Sequence, residues 1–200
     1  SIVIFLTLGT ASLNNGLSDS LSNIYKTYIP IPSPSTAYEG ILILIFTILL
    51  NDLISYWVHR IQHIVPFLWD AHEFHHSATE MVILNVWRST PFQFIFTTPL
   101  FIPITAFLVL VNNECLSKGL YIPFYFYIAY STFVSFNAYL GHSSLKVLYP
   151  KPLTYVLMSP ALHWLHHSIN PKHYNCNYGM DLSIWDRIFG TYLDEENIKD

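Results

Sequence analysis

The stretch GILILIFTILLNDLISYWVHRIQH, Gly40–His63, decides the fold. Its first nineteen residues, to Val58, are nearly all apolar, interrupted by Asn51 and Asp52. As a helix they extend about 28 Å, close to the thickness of one bilayer core. The run ends on two histidines, His59 and His63, four residues apart. Positions i and i+4 lie on one helix face, so both imidazoles point the same way.

Two further apolar runs follow, residues 92–111 and 120–140, each about 30 Å long as a helix. The polar stretch Asn112–Gly119 between them reads as a short turn, which makes the pair a transmembrane hairpin. Pro99, Pro103 and Pro123 are awkward in soluble helices and tolerated in membrane ones. Residues 9–38 carry Asn14-Asn15-Gly16 and Pro30, Pro32 and Pro34, and read as an irregular loop. The short run Ile2–Leu8 cannot span; it reads as the end of a truncated helix or as a buried or interfacial segment. The composition agrees with a membrane setting. Charged residues are 11% of the 200-residue chain and hydrophobic ones 52%, too little charge to clothe a soluble surface. A net charge of -4 argues against nucleic acid as a partner. Cys115 and Cys176 form no CxxC pair and no disulfide framework. The expected fold is all-α: an integral membrane helical bundle with a helical histidine-rich cap. Its parts are an apolar stub and polar loop (1–39), a membrane domain (40–193) and an acidic tail (194–200).

Nine of the ten histidines are clustered. They read His59-x-x-x-His63, His72-x-x-His75-His76, the single His142, and His163-x-x-His166-His167. In His-x-x-His-His one helical turn presents three ring nitrogens on one face. Imidazole is the commonest ligand for redox metals, and nine nitrogens suit two metals rather than one. Structural zinc stops at four ligands and favours cysteine, which these clusters lack. With three spans every cluster falls on one membrane face. Arg60, Arg88, Lys146, Lys151, Lys172, Arg187 and Lys199 share that face, against Lys26 and Lys118 on the other, so it is expected to be cytoplasmic. His173, after Pro171-Lys172, reads as an exposed loop residue.

Three polar residues are candidates for hydrogen-bonding a ligand histidine: Asp52, Glu73 and Asn137. Asp52 lies two turns before His59 on the same stripe, and an ionisable group in a span points to function, here support of another ligand histidine or, alternatively, a helix-packing or interfacial role. Glu73 offers a second reading. His72-Glu73-Phe74-His75-His76 also matches H-E-x-x-H, the zinc metalloprotease pattern, with Glu73 as general base. An intramembrane protease, or a non-enzymatic histidine-rich metal-binding membrane protein, are the alternatives. The protease would leave the remaining clustered histidines unused.

Together the three histidine clusters, Arg88 and Pro91, Asn175-Cys176-Asn177-Tyr178-Gly179 and Trp185-Asp186-Arg187-Ile188-Phe189-Gly190-Thr191 resemble the fatty acid hydroxylase/sterol desaturase superfamily over roughly residues 40–193. The form with a single histidine at the third position is most similar to the branch containing alkylglycerol monooxygenase and bacterial sterol-desaturase-like proteins. Some members carry a paired H-x-x-x-H there; this chain has Ala138 four residues before His142, and Ser144 where relatives often have Asn or Glu. The resemblance implies a non-haem di-iron membrane oxygenase. Its ligands would be His59, His63, His72, His75, His76, His163, His166 and His167, with His142 as a ninth. It would use O2 to hydroxylate or desaturate a lipid. Electrons would come from a separate cytochrome-type or ferredoxin-like protein, since the chain shows no flavin or nicotinamide fingerprint. The location implied is a bacterial inner membrane, or the endoplasmic reticulum in a eukaryote.

Overall fold

The computed structural model describes residues 32–194 together with 24, 27, 28 and 196. The apolar stub Ile2–Leu8, Lys26, Lys199 and most of the acidic tail lie outside the described residues. Ile24, Thr27 and Tyr28 are helical, where a loop was expected. Seven α-helices follow: α1 (Ala37–Ile64), α2 (Pro66–His76), α3 (Pro91–Ser117), α4 (Tyr121–Gly141), α5 (Lys151–Thr154), α6 (Pro160–His166) and α7 (Ile184–Ile188). Short 3-10 turns occupy Ile83–Trp87 and Pro171–His173. No strand occurs among the described residues, and one isolated bridge joins Leu157 to Leu182.

The long helices exceed the apolar runs that announce them. Helix α1 starts three residues before Gly40 because Thr36 and Glu39 build a capping box. Thr36 Oγ1 accepts from Glu39 N at 3.2 Å, and the Glu39 carboxylate accepts from Ser35 N at 2.7 Å. It runs on through His59 and His63 and stops at Ile64. Pro66 then requires an extended Val65 (φ -91°, ψ 115°), and its own missing N–H costs nothing at the first position of α2.

Helix α3 also outlasts expectation. It continues through the polar Asn112–Ser117, so most of the expected turn is helix. Asn112 is buried and its amide donates to Leu108 O at 2.9 Å. The chain reverses only at Gly119, with φ +72°. There Leu120 N bonds to Cys115 O and Gly119 N to Leu116 O, a Schellman end that needs a residue tolerant of positive φ.

Two helices, Ala37–Ile64 and Pro91–Ser117, are long and apolar enough to cross a membrane, with mean hydropathy 2.1 and 2.3. Only 28% and 22% of their most apolar windows are buried. A core helix of a soluble protein would be mostly covered, so these exposed apolar faces suit a lipid surrounding better than water. Helix α4 is of spanning length, 21 residues, but five tyrosines and several hydroxyl residues lower its apolarity. Pro123 falls in its first turn, where its missing N–H is an orphan anyway.

The described chain forms two compact units. One comprises residues up to Asn51 with Thr98–Ser135. Its core is Leu44, Leu108, Val111, Cys115 and Tyr127. Gly40 is required there: a Cβ would meet Pro123 Cγ at 2.7 Å and Cys115 Sγ at 3.1 Å. The other unit, Asp52–Thr97 with Phe136–Asp200, contains all ten histidines.

Gly40→Ala weighs two effects of opposite sign. Alanine gains about 1 kcal/mol of helix propensity, whereas overpacking against a rigid proline ring costs about 1–3 kcal/mol. Thermal unfolding in detergent should show a lower midpoint for Gly40→Ala; a higher one would mean that Pro123 moves freely.

Candidate metal centre

The site is assembled from four short pieces of helix. On α1, Asp52, Tyr56, His59 and His63 stand at i, i+4, i+7 and i+11, one inward stripe. On α2, His72, His75 and His76 share a face. Helix α4 ends on Gly141 and delivers His142; a Cβ on Gly141 would lie 3.1 Å from the His163 ring, so the glycine lets that ring approach. Helix α6 begins with Ser159 as N-cap and Pro160 at its first position, and brings His163, His166 and His167 inward.

These nine histidines meet as two groups. His59, His63, His72, His76 and His166 each aim one ring nitrogen into a first cluster, and His75, His142, His163 and His167 into a second. Within each cluster the nitrogens lie within 4.8 Å of one another. Ligands about 2.1 Å from a shared metal stand at most about 4.2 Å apart, so the clusters are close to ligand geometry. The groups adjoin: the His76 and His167 rings stack at 4.3 Å between centroids.

Backbone carbonyls fix the ring orientations. Nδ1 of His59 donates to Tyr178 O at 2.8 Å, and Nδ1 of His166 to Cys176 O at 2.7 Å. In the second group Nδ1 of His75 donates to Arg88 O at 3.0 Å and Nδ1 of His142 to Ala138 O at 2.7 Å. A carbonyl only accepts, so each of these Nδ1 atoms carries the proton and each Nε2 a lone pair. His75 Nε2 and His142 Nε2 are 3.1 Å apart. Neither can donate to the other, and two lone pairs in van der Waals contact repel. A cation among the nitrogens removes that conflict. The buried Nε2 of His166 and both ring nitrogens of His167 also have no hydrogen-bond partner in the protein. Orphaned buried nitrogens of this kind call for a ligand. Burial, reinforced by neighbouring imidazoles, pushes His72, His76, His163, His166 and His167 far below the usual histidine range, and His75 to about 3. The rings are thus neutral, the form that binds metal. The histidine clusters have the chemistry to bind metal, with neither carboxylate nor thiolate among the donors.

The segment Asn175–Gly179 supplies two of the four carbonyls. Asn175 and Asn177 both sit in the left-handed region, φ 59° and 52°, a conformation asparagine tolerates better than most residues. The alternation turns Cys176 O and Tyr178 O toward His166 and His59. Buried Asn177 donates to Leu162 O and Leu193 O and accepts from Leu193 N. Asp186 grips the same segment, accepting from Tyr178 N at 2.8 Å, Gly179 N at 2.7 Å and Thr191 Oγ1 at 2.7 Å. Burial nevertheless pushes its carboxyl up to about 6. A Cβ on Gly179 would collide with Leu182 O and Asp186 Oδ2.

None of the three polar candidates has a hydrogen bond to a clustered histidine among the described residues; Asp52 takes the packing role that was its alternative. Asp52 accepts from Asp181 N at 3.1 Å and Trp185 Nε1 at 2.8 Å and bonds no histidine. It ties α1 to the C-terminal segment, because a buried carboxylate two turns from His59 finds donors there first. Asn137 donates to Met158 O at 2.8 Å and accepts from Tyr149 OH at 2.6 Å. Glu73 is exposed on α2 and belongs to neither cluster, since one residue on from His72 it turns 100° away. His173 is buried rather than exposed; its Nδ1 meets Ser168 Oγ at 2.9 Å and it joins neither cluster. The residues that sequence reasoning missed are carbonyl bearers, above all Ala138. Side-chain identity carries no signal for it, whereas the Asn-x-Asn-Tyr-Gly spacing does for Cys176 and Tyr178.

A helical protein with membrane-length apolar helices and two largely buried all-imidazole clusters that could each hold a metal ion has the make-up of a membrane protein with a candidate metal centre. The chain belongs to the fatty acid hydroxylase family, whose model matches residues 44–191. It is 30% identical over 182 residues to the alkylglycerol monooxygenase of Homo sapiens, covering 86% of this chain and 33% of that protein. It is 32% identical over 152 residues to the Danio rerio alkylglycerol monooxygenase, covering 73% and 29%. An ornithine lipid hydroxylase of Rhizobium tropici is 31% identical over 138 residues, covering 68% and 38%. The chain spans about a third of the length of these curated relatives. No solved structure matches it.

Asn175 separates backbone from side-chain effects. Asn175→Gly keeps the left-handed turn and should retain metal affinity close to the parent protein. Asn175→Val strains it, swings Cys176 O away from His166, and should lose roughly 10- to 100-fold in affinity, as loss of a ligand's hydrogen-bond partner does. Competition with a chelator reads both; equal affinities for the two variants would refute the role given to the turn.

Proposed function

We propose that this chain is the catalytic domain of a non-haem di-iron membrane oxygenase that hydroxylates or desaturates a lipid C–H bond, using O2 and electrons from outside. The observation that carries this reading is the opposed lone pairs of His75 and His142 at the heart of nine converging imidazoles. Its second support is the family, with relatives named as a monooxygenase and a lipid hydroxylase.

The five-histidine group would hold one iron and the four-histidine group the other. Imidazole suits iron, and the absence of thiolate and carboxylate among the donors disfavours structural zinc and hard cations. Bound iron would supply the activation of O2 that an unactivated C–H bond demands. The chain's own part is to hold the ligands and exclude water. The Tyr178, Cys176, Arg88 and Ala138 carbonyls fix which nitrogen faces inward, so little reorganises when metal binds. Burial of His59, His72, His75, His142, His163 and His166 keeps the centre dry. Insertion of one oxygen atom from O2 consumes two electrons and two protons and releases one water. The electrons would come from a separate donor of cytochrome or ferredoxin type.

The membrane-length helices support an integral, multi-pass placement, and the membrane proposed is a bacterial inner membrane or the endoplasmic reticulum. The excess of Lys and Arg on the histidine side supports a cytoplasmic site. The domain limits proposed are 40–193, with short flanking segments. The exposure of Glu73, outside both histidine groups, speaks against its service as the general base of a metalloprotease.

One pair of variants tests the oxygenase reading. Supplied with reductant, O2 labelled with oxygen-18 and membrane lipid, the parent protein should put label into a lipid alcohol, or form an alkene if it desaturates. His166→Ala should abolish either product and deplete iron, while Glu73→Gln should retain most activity. An inactive Glu73→Gln with full metal, beside an active His166→Ala, would overturn the assignment.

A further inference from the structure

Residues Ser77–Thr90 join α2 to α3 and carry an inverted surface. Met81–Trp87 contains one polar side chain, Asn85, and that one is buried. Its amide donates to Glu80 O at 2.7 Å, its N–H bonds to Val82 O, and its carbonyl receives Arg88 N. The asparagine thereby spends its polar groups holding the 3-10 turn Ile83–Trp87. The apolar side chains are turned outward: Ile83 is 53% exposed, Leu84 73% and Trp87 49%. A connecting loop in water does the reverse, keeping polar groups outside.

Chain continuity says what covers this face. Trp87 precedes Pro91, the first residue of a membrane-length helix, by four residues. Phe92, Ile95 and Phe96 in the opening turns of that helix are exposed, and Phe96 packs edge-on to exposed Phe67 at 5.3 Å. Five residues reach at most about 17 Å, so Trp87 cannot stand far from the lipid-facing Phe92. Tryptophan beside a run of aliphatic side chains is the composition of a bilayer interface. The loop is charged only at Glu80 and Arg88. The Arg88 guanidinium is held back against the protein, donating to Phe74 O and Ser77 Oγ and lying over the Phe74 ring at 4.3 Å.

We propose that the Val82–Trp87 turn is inserted in the lipid bilayer interface. This makes it a membrane anchor for the metal centre, because the next residue, Arg88, gives its carbonyl to His75. The proposal rests on the reading of α3 as a membrane span. A lipid-seated turn holds one side of the four-histidine group at a fixed depth, where a lipid substrate would arrive.

Spin labels on Leu84→Cys and, separately, Ile102→Cys of the protein in phosphatidylcholine vesicles test it. Both native cysteines are buried, and unlabelled parent protein is the blank. Ile102 is an exposed residue of α3 and reports on the span itself. Both labels should collide several-fold more often with dissolved oxygen, which partitions into lipid, than with a water-soluble nickel chelate. Lipid access at 102 with chelate access at 84 would overturn the loop proposal alone. A label at 84 shielded from both reagents would overturn it in favour of a protein contact. Chelate access at 102 would remove the span and the proposal together.

Discussion

Aiming nine imidazoles at one another in a largely buried interior is the condition the rest of this structure serves. Each ring must be neutral, must turn a lone pair inward, and must stay turned. Burial secures the first. The second and third rest on the carbonyls of Tyr178, Cys176, Arg88 and Ala138, which consume the Nδ1 protons of His59, His166, His75 and His142. The cost is explicit at His75 and His142, whose Nε2 atoms face each other at 3.1 Å with nothing to donate. Protein alone leaves that pair destabilised; a cation turns the same geometry into binding.

The C-terminal segment is organised around this condition. Asn175 and Asn177 adopt left-handed backbone so that alternate carbonyls point inward. Asp186 holds the intervening N–H groups, and its own carbonyl receives Thr191 N and Tyr192 N. Tyr56 on α1 meets Thr191 through its hydroxyl at 2.9 Å, and Asp52 on the same stripe holds Asp181 and Trp185. The polar residues of α1 in this unit therefore fasten the segment whose carbonyls orient His59, a residue of α1 itself. The site is tied at both ends of one loop.

Much of this was legible in the sequence, for physical reasons. Helix periodicity places His59 beside His63 and packs His-x-x-His-His onto one face, and apolar runs of bilayer length announce α1 and α3. Helix ends were less legible. The Thr36-x-x-Glu39 capping box and the Gly119 Schellman end are local signals, and polarity at Asn112–Ser117 outweighed them. The division of nine histidines into five and four depends on tertiary packing that spacing cannot express. Asp52, Asn137 and His173 show the limit of reading polar residues near a site. Each satisfies its hydrogen bonds with whatever donor the fold brings closest: Trp185 and Asp181, Met158 and Tyr149, and Ser168. Glu73 shows the opposite error, a motif match that helix geometry turns outward.

The central claim is that the two histidine groups are two metal sites of one centre. Iron titration of the metal-free protein, repeated on His63→Ala from the five-histidine group and His142→Ala from the four-histidine group, addresses it directly. Parent protein should bind two irons per chain, and each variant should bind the iron of its damaged group more weakly while keeping the other tightly bound. One metal per chain in the parent protein, with zinc preferred over iron and both variants equally depleted, would contradict the account.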